Sequence, residues 1–455
     1  MAKKIERSIQ ELYQDDPQRA DAAVFGRETG PSRRGFLNGA GLAAMGAAVG
    51  ATIPFHDNMP GGLIPAALAQ GTLTGPQPVQ TPAPAAPKGP QYLEFPGKDK
   101  LVVIGDRPLV AETPEHLLDD ETTPISKFFI RNNGVAPEAA KDADSWSLTI
   151  DGEVNKPLTI TLGDLKKRFK AQTQRMVLEC GGNGRSFYSP PASGNQWTNG
   201  GAGCAEWTGV RLGDVLKAAD PKATAIYTAN YGTDVHLSGD AKRLTLSRGV
   251  RLAKAMDPNS MIVWAMNGEA LPNIHGGPVR LIIPGWPGSV SHKWLNKITL
   301  INKEHDGPGM TGTSYRVTIK PMVPGDKADP ANFKILESMP VRAIITSPAN
   351  GAKLAAGTRD LKLRGASWAG DLSVKQVDIS VDFGRTWQKA TLEKTKNKYD
   401  WQRWTATVKL PSDGYYEVWS RATDSNNVMQ PHVAAYWNPA GYGGNPMHRV
   451  AVLVG

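Results

Sequence analysis

The sequence predicts an α+β domain followed by an all-β sandwich. Within residues 101–330, strand-like segments such as Ser147–Ile150 mix with short helix-like segments such as Leu162–Lys170. They lack the regular strand–helix–strand repeat of a parallel sheet. From about Met339 onward, short strand-like segments are separated by Gly, Asp and Pro, as is typical of a β-sandwich. With 455 residues the chain is long enough for two such domains, and we place the second at 331–455.

The first 100 residues indicate an exported protein. The sequence SRRGFL at 32–37 precedes a weakly apolar Gly/Ala-rich run, and Ala67-Leu68-Ala69 supplies a small-residue cleavage site. This pattern predicts a twin-arginine signal peptide over 1–69 and a periplasmic location. The run is too short and too poor in Leu for the alternative, a membrane span. Residues 70–100 are rich in Pro, Ala, Gly and Thr, which predicts an extended linker or a wrapping arm.

Charge and cysteine content exclude several classes of function. The net charge is +9, but Lys and Arg are scattered and form no recognised nucleic-acid motif, so we expect no nucleic-acid partner. Two cysteines exclude a disulfide framework and a Cys-rich zinc or iron–sulfur site in this chain. They also lie too far apart for a Cys-x-x-Cys-His haem attachment, so we expect no haem in this chain.

Cys180 is the residue around which the chemistry is predicted to lie. It ends an apolar, strand-like segment and is followed by glycines, Asn183 and Arg185. Nearby positive charge favours the thiolate, the form that binds metal or attacks an electrophile. The alternative is a disulfide with Cys204, which the oxidising periplasm permits. The residues alone leave both possibilities open.

Several segments together resemble the sulfite oxidase family of molybdenum enzymes, and they occur in the family's order. They are the cysteine loop Glu179–Arg185 and three pterin-binding segments, Phe128–Asn133, His275–Arg280 and Gly285–Trp294. In the C-terminal part, Asp382–Trp387 and Ser420–Asp424 resemble the family's immunoglobulin-like dimerisation domain. The resemblance implies a molybdenum–molybdopterin cofactor with Cys180 as the metal ligand, and leaves Cys204 as a buried free thiol.

The resemblance also implies roles for individual residues. Arg131 and Arg185 are expected to bind the substrate oxyanion as a pair of cations, beside an active-site Tyr315. Trp197 is expected either in the pocket or in the core. The family's third pocket arginine is replaced by Ala440. The implied cofactor contacts are Phe129, Arg131, Asn132, Asn133, Cys180, Asp234, His275, Arg280, His292 and Lys293.

The function that the resemblance implies is the oxidation of sulfite to sulfate. Without haem in the chain, the electrons are expected to pass to an external c-type cytochrome, and the sandwich is expected to form a homodimer. One alternative is the catalytic subunit of a sulfane-sulfur dehydrogenase in thiosulfate oxidation. A sulfoxide reductase is another, although its relatives lack the C-terminal sandwich. The loss of arginine at Ala440 leaves a non-catalytic binding module as a further alternative.

Overall fold

The computed structural model describes residues 89–240 and 242–455, which belong to a single structural unit, Lys88–Gly455. The predicted signal peptide over 1–69 and most of the predicted linker lie outside the described residues. Among the residues that are described, no helix is both long and apolar enough to cross a membrane.

The N-terminal part of the described chain contains thirteen strands and three short helices. The strands are β1 (Val102–Asp106), β2 (Leu109–Glu112), β3 (Ile130–Arg131), β4 (Ser147–Gly152), β5 (Leu158–Thr161), β6 (Gln172–Glu179), β7 (Ala202–Arg211), β8 (Tyr227–Gly232), β9 (Ser247–Arg248), β10 (Met261–Met266), β11 (Glu269–Ala270), β12 (Arg280–Ile282) and β13 (Leu295–Ile301). The helices are α1 (Leu162–Arg168), α2 (Leu212–Ala218) and α3 (Leu252–Ala255). Single 3-10 turns occur at Glu115–Leu117, Ile125–Lys127, Arg185–Phe187, Asn273–His275 and Gly288–Val290.

Two five-stranded sheets carry this part of the fold. One has the order β11-β10-β7-β6, with β12 also paired to β10, and the other has the order β5-β4-β13-β8-β9. A small third sheet joins β1, β2 and β3. One hydrophobic core contains buried residues of α1, α2 and both five-stranded sheets, among them Leu216, Ile262 and Ile298. The combination of strands with three short helices confirms the predicted α+β class.

Helix α1 begins where the sequence predicts. The side chain of Thr161 accepts a hydrogen bond from the amide of Asp164 at 3.1 Å, which satisfies one of the unpaired donors at the helix start. Lys166, Lys167 and Arg168 occupy the last turn, where positive charge complements the helix dipole. Buried Leu162 faces the core.

The C-terminal part is a β-sandwich, as predicted. Its two sheets have the orders β16-β18-β22-β21 and β17-β24-β23-β19-β20. A hairpin before the sandwich pairs β14 with β15, and the predicted boundary at residue 330 falls between these two strands. The domain limits given by the sequence stay predictions. The strands are β14 (Arg316–Thr318), β15 (Phe333–Ile335), β16 (Arg342–Ser347), β17 (Ala352–Leu354), β18 (Asp360–Trp368), β19 (Val374–Ser380), β20 (Gln388–Lys389), β21 (Thr391–Leu392), β22 (Gln402–Lys409), β23 (Gly414–Asp424) and β24 (His448–Val454), with a 3-10 turn at Pro330–Asn332.

The sandwich packs against the strand that leads to Cys180. A hydrophobic cluster joins Val177 of β6 to Trp368 of β18, and it includes the fully buried Cys204. Beside it, the guanidinium of Arg175 forms two hydrogen bonds with the buried carboxylate of Asp400, at 2.8 and 2.7 Å. The two parts therefore share a core at the base of the predicted site.

The last residues of the predicted linker form a wrapping arm on the N-terminal part. The amide of Leu93 donates to the carbonyl of Leu101 at 2.8 Å, and the amide of Val103 donates to the carbonyl of Gln91 at 2.8 Å. This pairing directs the following residues toward the predicted pterin-binding segments, where Lys98 reaches the site described next.

Candidate functional site

The cysteine predicted to bind metal lies in a tightly bonded turn. Strand β6 ends at Glu179, and the next residue, Cys180, has only 9% of its surface exposed. Its amide donates to the carbonyl of Gly201 at 2.8 Å, and its carbonyl accepts from the amide of Asn183 at 2.9 Å. The Asn183 side chain also accepts from the Gly201 amide at 3.0 Å. These bonds fix the position of the thiol. Cys180 and Cys204 are both free, so the disulfide alternative does not occur.

Gly182, two residues after Cys180, makes room for Arg185. A Cβ atom at Gly182 would lie 2.5 Å from Nη2 of Arg185, a separation that real Cβ atoms do not tolerate. Arg185 is buried; its Nε donates to the carbonyl of Ala440 at 2.7 Å and its Nη1 to the carbonyl of Asn195 at 2.8 Å. The guanidinium therefore folds back over the turn that carries the thiol.

A buried ion pair secures the same turn from the sandwich side. The Glu179 carboxylate accepts from Nε of Arg342 at 2.9 Å and from Nε1 of Trp368 at 2.7 Å. Arg342 is fully buried and also donates to the Asn199 side chain at 3.1 Å and to the carbonyl of Asn183 at 3.1 Å. Both charges are thus paired and hydrogen-bonded, as buried charges require.

A cleft lies next to the cysteine turn. The space between its walls, including the part open to solvent, is about 580 Å³. Leu178, two residues before Cys180, lines it. Eight of the predicted site residues also line it: Phe129, Arg131, Asn132, Asn133, Asp234, Arg280, His292 and Lys293. The fold therefore gathers residues from all three predicted pterin-binding segments around one space.

Four basic residues lie together here: Arg280 and Lys293, which line the cleft, and Lys98 and His275, which lie beside them and do not line it; the four are called the basic group. Nζ of Lys98 lies 2.5 Å from Nε2 of His275, and Nη1 of Arg280 donates to the His275 carbonyl at 2.8 Å. Nζ of Lys293 donates to the side-chain oxygen of Asn132 at 2.6 Å. Lys98 also donates to the Phe128 carbonyl at 2.9 Å, so it connects the wrapping arm to the first of the predicted pterin-binding segments.

Burial lowers the pKa values of all four members of the basic group, and mutual repulsion contributes for His275 and Lys293. Burial lowers the pKa of Arg280 to about 9 and the pKa of Lys98 to about 7. The pKa values of His275 and Lys293 lie well below their usual ranges, first because of burial and then because of the charges of the other members. Nε of Arg280 has no hydrogen-bond partner. An anion at this position would satisfy that donor and offset the repulsion, so the residues fit the phosphate of molybdopterin.

The other predicted cofactor residues support the cleft in different ways. Burial raises the pKa of Asp234 to about 6. His292 accepts through Nε2 from the Arg248 amide at 3.0 Å, and burial lowers its pKa to about 3. Phe129 is buried and lies edge-on to Trp197, with ring centres 5.9 Å apart. Trp197 is fully buried in the core, and it does not line the cleft.

Tyr315, the predicted active-site tyrosine, packs against the cysteine turn. A Cβ at Gly181 would lie 3.4 Å from its ring. The ring stacks on Tyr442 at 4.7 Å between centres, and the guanidinium of Arg185 lies 5.1 Å from the centre of the Tyr442 ring. Arg131, the other predicted substrate cation, lines the cleft, where its charge contributes to the lowered pKa of Lys293. The structure therefore groups Arg185 with the tyrosines and Arg131 with the basic group.

Sequence reasoning missed several residues of this site. Lys98 lies in a Pro/Gly-containing segment that carried no motif, and Arg342 is distant in sequence from the loop that it secures. Tyr442 and Arg248 are hidden in the same way, because only the fold brings them to Tyr315. The one available signal was the position of Tyr442 directly after the segment containing Ala440.

Comparisons with known proteins agree with this geometry. Residues 133–309 match the oxidoreductase molybdopterin binding domain, and residues 333–455 match the Mo-co oxidoreductase dimerisation domain. Sulfite oxidase from Gallus gallus is 32% identical over 381 residues, which cover 81% of this chain and 81% of the relative. Mitochondrial sulfite oxidase from Homo sapiens is 31% identical over 404 residues, covering 85% of this chain and 72% of the relative.

A solved structure shows the same fold. The sulfane dehydrogenase SoxCD from Paracoccus pantotrophus superposes with a TM-score of 0.64 at 25% identity, covering 85% of this chain and 96% of that chain. Two observations identify the family of the chain. Both family models match in consecutive order, and relatives above 30% identity align over most of their length. The chain belongs to the sulfite oxidase family of molybdopterin oxidoreductases.

Proposed function

We propose that the chain is a periplasmic, molybdenum-dependent sulfite dehydrogenase, which oxidises sulfite to sulfate and passes the electrons to an external c-type cytochrome. The observation that carries this proposal is the position of Arg185. A buried guanidinium folds over the turn of the predicted metal ligand Cys180, beside the stacked Tyr315 and Tyr442. Cations beside a metal site suit a small oxyanion substrate.

Different residues of the chain would bind the cofactor and the substrate. The basic group would hold the phosphate and pterin edges, Arg131 would contact both the pterin and the substrate oxyanion, and Cys180 would ligate the metal through its thiolate. When bound, the molybdenum cofactor supplies the redox and oxygen-transfer chemistry, while the protein supplies orientation and charge. Arg185 would hold the substrate anion next to the thiol, and the buried surroundings of Tyr315 would strengthen these electrostatic contacts by excluding water.

The relatives support sulfite as the substrate. Both relatives above are named sulfite oxidase, and the chain aligns with most of their length. The external acceptor rests on the sequence, which has no haem-attachment motif and two cysteines in all. The periplasmic location rests on the twin-arginine pattern SRRGFL at 32–37. The homodimer rests on the match of residues 333–455 to a dimerisation domain.

A second candidate is the catalytic subunit of a sulfane-sulfur dehydrogenase. The observation that favours it is the structural likeness to the sulfane dehydrogenase SoxCD over 85% of this chain. Ala440, where the family pattern has arginine, is compatible with a substrate less anionic than sulfite.

Purified, molybdenum-loaded protein tests the two candidates side by side. Sulfite and a protein-bound sulfane are offered separately, with ferricyanide or cytochrome c as the acceptor. Our proposal predicts turnover of sulfite with both acceptors. Turnover of the sulfane alone would transfer the assignment to the second candidate. Protein without roughly stoichiometric molybdenum, after expression with cofactor synthesis, would refute both and leave the non-catalytic binding module.

A further inference from the structure

Arg248 is a fully buried arginine without a paired carboxylate in the described part of the chain. Its exposed fraction is 0%, and Nε and Nη2 have no hydrogen-bond partner. Only Nη1 is engaged, through a hydrogen bond of 3.1 Å to Oγ of Ser289. Burial lowers the pKa of Arg248 to about 10. A buried guanidinium with unused donors is costly unless an anion meets it, and no side chain supplies that anion here.

Arg248 lies directly behind the wall of the cleft, where it bonds two lining residues, Ser289 and His292. Ser289, which accepts its hydrogen bond, lines the cleft. The neighbouring Gly288 approaches the cysteine turn so closely that an added Cβ would lie 3.0 Å from the carbonyl oxygen of Glu179. The backbone of Arg248 is held from the same side, since its amide donates to the His292 ring at 3.0 Å.

Arg248 also contacts the predicted active-site tyrosine. Its guanidinium carbon lies 4.3 Å from the centre of the Tyr315 ring, a distance at which the cation and the ring attract each other. Tyr315 stacks on Tyr442, and Arg185 lies against Tyr442 at 5.1 Å. Two arginines thus bracket a pair of tyrosines beside the glycine that follows Cys180.

The electrostatic surroundings separate Arg248 from the basic group. After burial, the largest influences on its pKa come from Tyr315, Tyr227 and Tyr442. The members of the basic group instead act on one another, and Arg248 is not among the main influences on His275 or Lys293. Two positively charged regions therefore lie in and around the cleft, one suited to the cofactor phosphate and one beside the cysteine turn.

We propose that Arg248 is an anion-binding residue at the substrate end of the cleft, and that it supplies the cation that Ala440 does not. This inference rests on the proposed function, because it takes the substrate to be a small sulfur oxyanion. Nε and Nη2 of Arg248, which have no partner in the protein, would donate to the oxygens of that anion. Together with Arg185, Arg248 restores a second positive charge around the Tyr315–Tyr442 pair.

Arg248→Met in the molybdenum-loaded protein tests the inference, because Met keeps the volume of the side chain and removes its charge. We expect unchanged molybdenum content, a KM for sulfite raised about ten- to hundred-fold with a smaller change in kcat, and sulfate inhibition weakened by a similar factor. Sulfate should also raise the melting temperature of the wild-type protein but not of the variant. Arg248→Lys should recover part of both effects.

The matched control is Arg251→Met, since Arg251 is largely exposed and pairs with Glu337 on the surface. It should leave sulfate binding and sulfite kinetics unchanged. In the Arg248→Met background, Ala440→Arg should recover sulfate binding by returning a cation from the sandwich side.

Several outcomes would overturn the inference. Unchanged sulfate affinity in fully loaded Arg248→Met would refute it, and loss of molybdopterin from that variant would assign Arg248 to the cofactor instead. If Arg248→Met does not fold, undiminished sulfate binding by Arg248→Lys has the same refuting force, because Lys loses the planar fork. A wild-type protein that binds sulfate through Arg248 but fails to oxidise sulfite would refute the proposed function alone.

Discussion

Replacing Arg342 by Met removes the cation that neutralises buried Glu179 next to the turn proposed to bind the metal. Arg342 is 0% exposed, and its guanidinium bonds the Glu179 carboxylate, the Asn199 side chain and the carbonyls of Asn183 and Gly444. Breaking a buried ion pair from one side costs about 3–5 kcal/mol, because the other charge stays buried. Unfolding entropy scales with chain length, so this loss corresponds to a decrease of roughly 4–6 °C in the melting temperature of the described unit.

The assay is thermal unfolding followed by tertiary circular dichroism, with molybdenum content measured on the same samples. We expect the molybdenum content to fall as well, since Glu179 precedes Cys180 directly. Arg359→Met is the control, because Arg359 pairs with the exposed Asp413; its melting temperature should match the wild type. Adding Glu179→Gln to Arg342→Met should recover part of the loss, because no unpaired charge remains. A decrease no larger than that of the control would refute the reasoning.

The remaining predictions concern substrate, cofactor and assembly. Arg131→Ala and Arg185→Ala should each lower kcat/KM for sulfite about ten- to hundred-fold through lost charge-assisted hydrogen bonds; unchanged sulfite kinetics in both would show that the substrate is bound elsewhere. The amino group of Lys98, whose pKa burial lowers to about 7, loses its positive charge as the pH rises, and the neutral amine no longer attracts an anion. A bound phosphate raises this pKa, so the affinity for the pterin, measured by fluorescence, should decrease as the pH rises above about 7; the same pH dependence in Lys98→Met would contradict this. Turnover with the physiological cytochrome should decrease as salt is added, since screening weakens steering, whereas salt-independent rates would count against charge-guided docking. Light scattering should give twice the subunit mass, and a monomer at micromolar concentration would refute the dimer.

The sequence predicted much of the fold because its signals are local. Thr161 caps α1, and its side-chain oxygen accepts from Asp164 as a capping residue should. Among the short strand-like segments after Met339, Val374–Ser380 forms β19, from which Val377 and Ile379 pack into the sandwich core. Such patterns depend on neighbours within a few residues and need no knowledge of the tertiary structure.

The site was only partly predictable, because its electrostatics are non-local. The cleft gathers the predicted Asn132, Arg280 and Lys293, whose segments resemble the family pattern. Lys98 and Arg248 carry no such pattern. Their importance follows from their burial and their tertiary contacts. Lys98 lies against the ring of His275, and Arg248 lies against the ring of Tyr315 and keeps two hydrogen-bond donors without a partner. Neither relationship is written in the spacing of the residues.

The most direct test of the central claim compares two cysteine variants in one sulfite assay. Cys180→Ser and Cys204→Ser are purified with molybdopterin, and kcat for sulfite is measured with cytochrome c. Cys204 is fully buried and bonds Asp400 at 3.4 Å as a neutral thiol, a role that a serine hydroxyl can take over, so its variant should keep most of the activity. Cys180→Ser should retain the pterin but lose turnover by orders of magnitude, because a hydroxyl replaces the soft thiolate. Wild-type rates in a molybdenum-loaded Cys180→Ser protein would contradict the account.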